Sequence, residues 1–129
     1  MQIELEITRD EIDEAALASR RKISVNVGAV ITFQGVVRAA EGQQQISAID
    51  YEAFEPMARR QFDHIFAEVS ARWPIEAIRL VHRIGVVPVN QSSLWIEVTA
   101  SHRGEAFEAC QYIIDQMKVR VPIWKHPRN

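Results

Sequence analysis

The chain has a single cysteine, Cys110, among its 129 residues. That excludes an internal disulfide and any zinc site built on several cysteines. Only four histidines occur, and none shows the spacing of H-E-x-x-H or a similar ligand pair, so no metal site and no resident cofactor is expected. No run of 18 apolar residues is present, nor the basic-then-apolar opening of a secretory signal, which predicts a cytoplasmic protein with no membrane association. Repeats, low-complexity tracts and linkers are also missing. With 47% hydrophobic and 25% charged residues, the chain reads as one globular domain over residues 1–129.

One further absence is local. The last twelve residues contain no acid, yet they hold Lys118, Arg120, Lys125, His126 and Arg128 in a protein of net charge -2. Residues 1–14 show the reverse, with six acids and only Arg9 as a base. Such asymmetry suggests separate surfaces with separate tasks, although solvated faces give the same pattern. An anion held between two lysines is one explanation of the basic tail.

Periodicity places these groups. Alternating Ile3, Leu5 and Ile7 predict a strand over Gln2–Thr8, and Thr8 or Asp10 then caps a short helix running to about Arg20. Val25–Val37 reads as a long strand in which Gly28 and Gly35 mark bulges or a close backbone approach. Ala39–Gln45 reads as a polar loop and Ile46–Ala53 as a strand. Pro56 opens a helix with a stripe at Phe62, Ile65, Phe66, Val69 and Trp73, which Pro74 ends. Strands at Ile75–Ile84 and Ser92–Ala100 flank a turn-rich connection over Gly85–Gln91. A second main helix over Gly104–Val119 has the stripe Phe107, Cys110, Ile113, Ile114, Met117 and Val121, and Pro122 stops it before a short extended segment, Ile123–Lys125. The expected class is α+β, a mostly antiparallel sheet with two helices on one face and the other face solvated or covered by a partner.

His102 and Arg103 follow a strand and open a helix, where cations oppose the dipole at a cost of up to about 1 kcal/mol. An anion among the free N–H groups offsets that misfit; the alternative is an Arg103 directed into water. Lys118 sits in a last helical turn, which the dipole alone favours, but it also borders the apolar stripe, where a lysine can act as acid, base or nucleophile. Lys125 alternates with Trp124 and faces away from it. Arg38 ends the long strand beside the polar loop, a common place for ligand contacts and equally for a solvated arginine. Arg120 and Arg128 read as dipole or surface charges, His64 and His82 as structural or surface residues, and Cys110 as a small buried hydrophobe.

Several segments carry a resemblance. Gly28-Ala-Val-Ile-Thr-Phe-Gln-Gly-Val-Val-Arg38, Tyr51-Glu-Ala-Phe-Glu-Pro-Met57, Arg72-Trp-Pro74, His82-Arg-Ile-Gly85, Thr99-Ala-Ser-His-Arg103, Ala106-Phe-Glu-Ala109 and Met117-Lys-Val-Arg-Val-Pro-Ile-Trp-Lys125 occur in order and at consistent spacing. Together they resemble the large, catalytic subunit of molybdopterin synthase over nearly the whole chain.

The resemblance implies an α/β-hammerhead fold with an added antiparallel subdomain. It implies a sulfurtransferase of molybdenum cofactor biosynthesis that turns cyclic pyranopterin monophosphate (precursor Z) into molybdopterin. Sulfur would come as a thiocarboxylate on the C-terminal Gly-Gly tail of a small ubiquitin-like subunit, within a heterotetramer built on a homodimer of the large one. Carried over by position, Lys118 is the leading catalytic residue, Lys125 polarises the thiocarboxylate or holds substrate, and Arg38, His102 and Arg103 bind the pterin phosphate. Phe33 and Met117 shape the pocket. Members of that family usually continue past the Trp-Lys segment with a further basic residue, so the expectation at Asn129 is that the residues present suffice, that a partner supplies the contact, or that activity is reduced. Two rival readings are a weakened homologue that scaffolds the small subunit and a nonenzymatic anion- or nucleic-acid-binding module. Against the second stand the acidic net charge and the lack of an aromatic stacking platform.

Overall fold

The computed structural model describes residues 1–129. Strand β1 (Gln2–Thr8) leads through a turn to helix α1 (Glu14–Ser19), and strand β2 (Ala29–Val36) follows. Strands β3 (Ala40–Glu41) and β4 (Gln44–Gln45) form a two-residue ladder before β5 (Ala48–Ala53) and helix α2 (Glu55–Arg72). Then come β6 (Ile75–Arg83), β7 (Gly85–Pro88), β8 (Ser92–Ala100), helix α3 (Arg103–Arg120) and β9 (Ile123–Arg128).

The main sheet has the order β1-β6-β8-β2, antiparallel except for the parallel β1–β6 pair. A second sheet, β7-β5-β9, is wholly antiparallel. The expected α+β class with a mostly antiparallel sheet is what the chain adopts. No helix is long and apolar enough to cross a membrane.

The core forms where periodicity places it. Phe62, Ile65, Phe66 and Val69 recur along one side of α2 and are fully buried, each contributing about 1.5–3 kcal/mol of hydrophobic stabilisation. They meet Ile78 and Leu80 of β6 and Ile96 and Val98 of β8 in one cluster with the buried side of α3. Pro56 sits in the first turn of α2, and Trp73, held extended before Pro74, ends it.

Some expectations need correction. The cap of α1 is Asp13, whose Oδ1 accepts from the Ala16 N–H at 3.0 Å, while Thr8 Oγ1 accepts from Asp10 N–H and only shapes the preceding turn. Helix α1 lies on the other sheet face, where Leu17 and Ile12 cover Val81 and Trp95, so the helices do not all share one side. That face also buries Glu97, held by Arg79 at 2.8 Å and Arg21 at 2.5 Å; a buried carboxylate without such partners would be strongly destabilising. Phe107 is exposed; Ala106 and Ala109 take its place, because residues 106, 109, 110, 113 and 117 share one helical face and the small side chains bring α3 close to the sheet. The polar loop is a small hairpin, the connection after Ile84 begins with β7, and the last extended segment runs on to Arg128. Its Pro127 is tolerated because β9 is an edge strand.

Both suspected glycines have the roles expected. The β2–β8 register shifts between Gly35 and Val36. At Gly28 an added Cβ would stand 2.3 Å from the Ser101 carbonyl oxygen, a backbone atom that cannot swing aside. Gly28→Ala is therefore expected to destabilise the fold by about 1–3 kcal/mol, read as a lower urea midpoint at unchanged slope. Gly104→Ala, whose Cβ would enter open space, should not lower the midpoint; equal midpoints for Gly28→Ala and the parent chain would refute the close-contact account.

Candidate functional site

The basic tail sorts itself by its partners. Arg120 at the end of α3 grips Glu68 of α2 with two bonds, Nη1 to Oε1 at 2.7 Å and Nη2 to Oε2 at 2.8 Å. The Tyr112 hydroxyl donates to the same carboxylate at 2.5 Å, and these hydrogen bonds, Arg120 first, hold Glu68 down at about 2. Arg128 Nη2 donates to Asp50 at 2.5 Å, and His126 Nε2 lies 2.9 Å from Glu52 Oε1, both across the β5–β9 pair. Lys118 and Lys125 have no acidic partner.

Those two lysines open on one cavity of about 380 Å³. Their convergence follows from the helix stop. Val121 leaves α3 in extended geometry before Pro122, the Phe54 N–H holds the Pro122 carbonyl at 3.2 Å, and the chain returns as β9. The β5–β9 register sets Lys125 opposite Tyr51 and Ile123 opposite Ala53, and residues two apart on a strand share a face, so Lys125 and Ile123 face the same way as Tyr51. Lys118 and Met117 enter from the last turn of α3, and Phe33 from β2. Of the predicted site residues, the structure thus brings together Lys118, Lys125, Phe33 and Met117.

Arg38, His102 and Arg103 lie outside that cavity. Arg38 is exposed, two residues beyond the lining residue Val36, or about 7 Å along an extended chain. His102 caps α3 without a side-chain bond to the helix, with its Nδ1 3.7 Å from Glu105 Oε2, and Arg103 opens the first turn. Sixteen residues of helix separate His102 from Lys118, an axial distance of about 24 Å.

The pattern reading missed two residues of the cavity, Tyr51 and His82. Both are buried, and their rings meet edge to face at 5.5 Å. The pairing of β5 with β9 sets Tyr51 opposite Lys125, and His82, on β6, meets the Tyr51 ring from the main sheet; no local pattern shows either contact. Burial drives the His82 imidazole down to about 4; its bond to the Arg83 carbonyl opposes the shift and the Lys125 charge adds to it. Burial also pushes the Tyr51 phenol up. Cys110 is enclosed in the core, its thiol pushed up to about 11 by burial, which keeps it out of thiolate chemistry.

A larger groove, about 810 Å³, runs over the opposite sheet face. There Arg79, Arg20 and Lys22 stand among Glu4, Glu6 and Glu97, and none of the predicted site residues reaches it. The smaller cavity, largely apolar-walled with two unpaired lysines and no carboxylate, suits a small anionic group.

Comparison with known proteins agrees on the fold and extends to the sequence. The family model described as "MoaE protein" matches residues 7–120. A molybdopterin synthase catalytic subunit from Thermoplasma volcanium is 40% identical over 121 residues, covering 94% of this chain and 88% of that one. The human protein of the same name is 37% identical over 107 residues, and the match spans 57% of its length. Among solved structures, molybdopterin synthase from Staphylococcus aureus superposes with a TM-score of 0.86 at 33% identity, covering 95% of this chain and 88% of that one. A complex of subunits 1 and 2 of molybdopterin-converting factor from Helicobacter pylori shares the fold, with a TM-score of 0.74 at 23% identity over 95% of this chain and 83% of that one.

The buried His82 ties stability to pH. Its folded value of about 4 lies below the ordinary 6.5, so the unfolded chain binds the proton more tightly. Stability from this group is complete above pH 6.5 and is lost as pH falls toward 4, a change of about 3 kcal/mol. Urea midpoints measured from pH 7 to 4 should fall more steeply for the parent than for His82→Phe; parallel curves would refute the assignment.

Proposed function

The chain belongs to the MoaE protein family, and on that premise we propose that it is the catalytic subunit of a molybdopterin synthase acting in the cytoplasm. In this reading it converts cyclic pyranopterin monophosphate to molybdopterin, using sulfur delivered as a thiocarboxylate on the C-terminal tail of a small ubiquitin-like subunit. The observation that carries the reading is the convergence of Lys118 and Lys125, the two tail cations without acidic partners, on one apolar-walled cavity.

The chemistry suits these groups. A thiocarboxylate and a phosphate ester are both anions, and an ammonium with no competing carboxylate in the cavity wall is free to pair with them. Lys125 holds or polarises the thiocarboxylate. Lys118, on the facing helix end, exchanges protons with the reacting groups, or its neutral amine attacks the tail's acyl carbon. In the second case the C–S bond breaks as sulfur passes to the pterin, and water then hydrolyses the amide to free the lysine and the tail carboxylate. Phe33, Met117 and their apolar neighbours exclude the water that would hydrolyse the sulfur donor. Sulfur must be supplied from outside, because the chain's own thiol is buried.

His102 and Arg103 bear on assembly. Some 24 Å from Lys118 along α3, they cannot reach the same small substrate within one subunit. A homodimer that sets the start of α3 of one subunit beside the lysines of the other would join them, with Arg38 at the rim as a further phosphate contact.

Lys118 is exposed at a helix end, so its replacement by alanine costs little stability. Lys118→Ala, mixed with thiocarboxylated small subunit and cyclic pyranopterin monophosphate, should form molybdopterin at least about 100-fold more slowly while still binding the small subunit. Formation at the parent rate would remove Lys118 from the mechanism, and a parent chain that binds the small subunit but forms no product would be a scaffold. Cys110→Ala should form product within about twofold of the parent rate, since a buried thiol does not carry the sulfur; loss of product with the fold intact would reinstate it.

A further inference from the structure

The cavity between the lysines holds one polar group that the proposed chemistry leaves unused. His82 is 5% exposed and lines the cavity floor on β6. Its Nδ1 lies 2.8 Å from the Arg83 carbonyl oxygen. A carbonyl only accepts, so Nδ1 carries the hydrogen, and in a neutral ring Nε2 is then a bare lone pair. Nε2 has no hydrogen-bond partner in the protein, yet it is not among the sealed, unpaired polar atoms, which are Arg83 Nε and Glu105 Oε2. The open side of the ring is therefore the cavity.

The surroundings keep that lone pair available. The titratable groups facing the ring are Tyr51 on β5, Lys125 on β9 and Lys118 on α3, and no carboxylate lines the cavity. The ring stays neutral at physiological pH because burial and the nearby Lys125 charge both disfavour the imidazolium. Lysine ammonium groups only donate, and the Tyr51 and Ser93 hydroxyls can do either. His82 Nε2 is thus the one side-chain nitrogen or oxygen there that can only accept, the Met117 thioether being a weak acceptor. A buried acceptor left unpaired is costly, so such a site discriminates for a ligand that brings a donor.

We propose that His82 Nε2 accepts a hydrogen bond from an N–H of the molecule that occupies the lysine cavity, and so selects occupants that present an N–H beside their anionic group. This rests on the molybdopterin synthase reading, in which two occupants have that chemistry. The glycine tail of the small subunit offers backbone amides next to its terminal carboxyl group, and the cyclic pyranopterin monophosphate offers ring N–H groups next to its phosphate. His82 is a specificity residue here; it forms no covalent bond and its proton count does not change.

The test uses the full chain labelled with 15N-histidine. A bare imidazole nitrogen resonates far from its protonated counterpart and moves toward it when it accepts a hydrogen bond, and the His82 signals are those missing from His82→Gln. A peptide ending in Gly-Gly carboxylate and the cyclic pyranopterin monophosphate are added separately, each to saturation. A shift of the Nε2 signal with the peptide identifies the tail as donor, and a shift with the pterin identifies the substrate. An Nε2 signal that stays in place with both, while each binds, overturns the proposal, and His82→Phe supplies the assignment should His82→Gln not fold. In turnover, His82→Phe should raise the KM of the affected component at least about fivefold at near-parent kcat, and His82→Gln, whose amide oxygen can accept from a similar position, should recover part of that loss. Equal KM values for parent and both variants overturn the proposal; equal losses for Phe and Gln do so too, since they reveal a role in shape alone. Failure of the underlying reading shows separately, as a parent chain that forms no molybdopterin.

Discussion

The antiparallel pairing of β5 with β9, entered through the stop at Pro122, is the constraint on which the site depends. Without it, α3 would end in a solvated basic tail and Lys118 would be one more cation at a helix C-terminus. With it, the backbone turns at Val121–Pro122 and six residues lie against β5. The cross-strand register then decides which side chains face inward. Because Tyr51 and Lys125 are directly opposed, they share a face, and that face looks toward the end of α3. A slip of one residue would turn Lys125 out and Trp124 in. The two acid-base pairs on this ladder, Arg128 with Asp50 and His126 with Glu52, are too exposed to contribute much stability, but each also disfavours a slipped register.

Charge pairing supplies the second half of the design. Acids on neighbouring elements take up three of the five tail cations. Glu68 takes Arg120 in a two-pronged contact that fastens the end of α3 to α2, and Arg72 stacks over Tyr112 at 4.7 Å at the edge of the same cluster. The two lysines at the cavity are left without internal counter-ions, and the cavity lining offers them none. Both lysines are exposed and need no counter-ion for stability, so they remain free to pair with an anion that enters the cavity. The same logic explains why the larger groove on the opposite face is the weaker candidate. Its most enclosed cation, Arg79, is already spent on Glu97 and on the Leu17 carbonyl.

Much of this fold was legible in the sequence because local rules agreed with the tertiary structure. The stripe Phe62, Ile65, Phe66 and Val69 could only be the buried side of a helix, and Pro74 and Pro122 end helices for reasons that hold in any context. Errors came where neighbours decide. Phe107 has the apolar character of a core residue, yet the approach of α3 to the sheet is set by Ala106 and Ala109. The sequence Ile-Trp-Lys-His-Pro-Arg has little strand character of its own and is extended because β5 is there to pair with it. Lys118, Lys125, Phe33 and Met117 could be nominated from motif resemblance, whereas Tyr51 owes its place to a pairing between segments more than seventy residues apart and His82 to the packing of β6 against the Tyr51 ring.

The geometry of α3 finally bears on how the family resemblance can be honoured by a single polypeptide. A straight helix keeps its two ends apart, so the residues at its start and at its end serve different surfaces of one subunit. His102 and Arg103 nonetheless have the features of an anion contact. They stand at the free N–H groups of a helix start with no side-chain cap, and His102 is largely solvent-facing. The lysines, for their part, open on a cavity with no arginine in its wall. Each half lacks what the other has, namely a cavity with two unpaired lysines at one end and a guanidinium beside a helix dipole at the other. Two subunits related by a twofold axis would combine them twice, and a phosphate-bearing substrate would then be bound by groups that no one chain can bring within reach of each other.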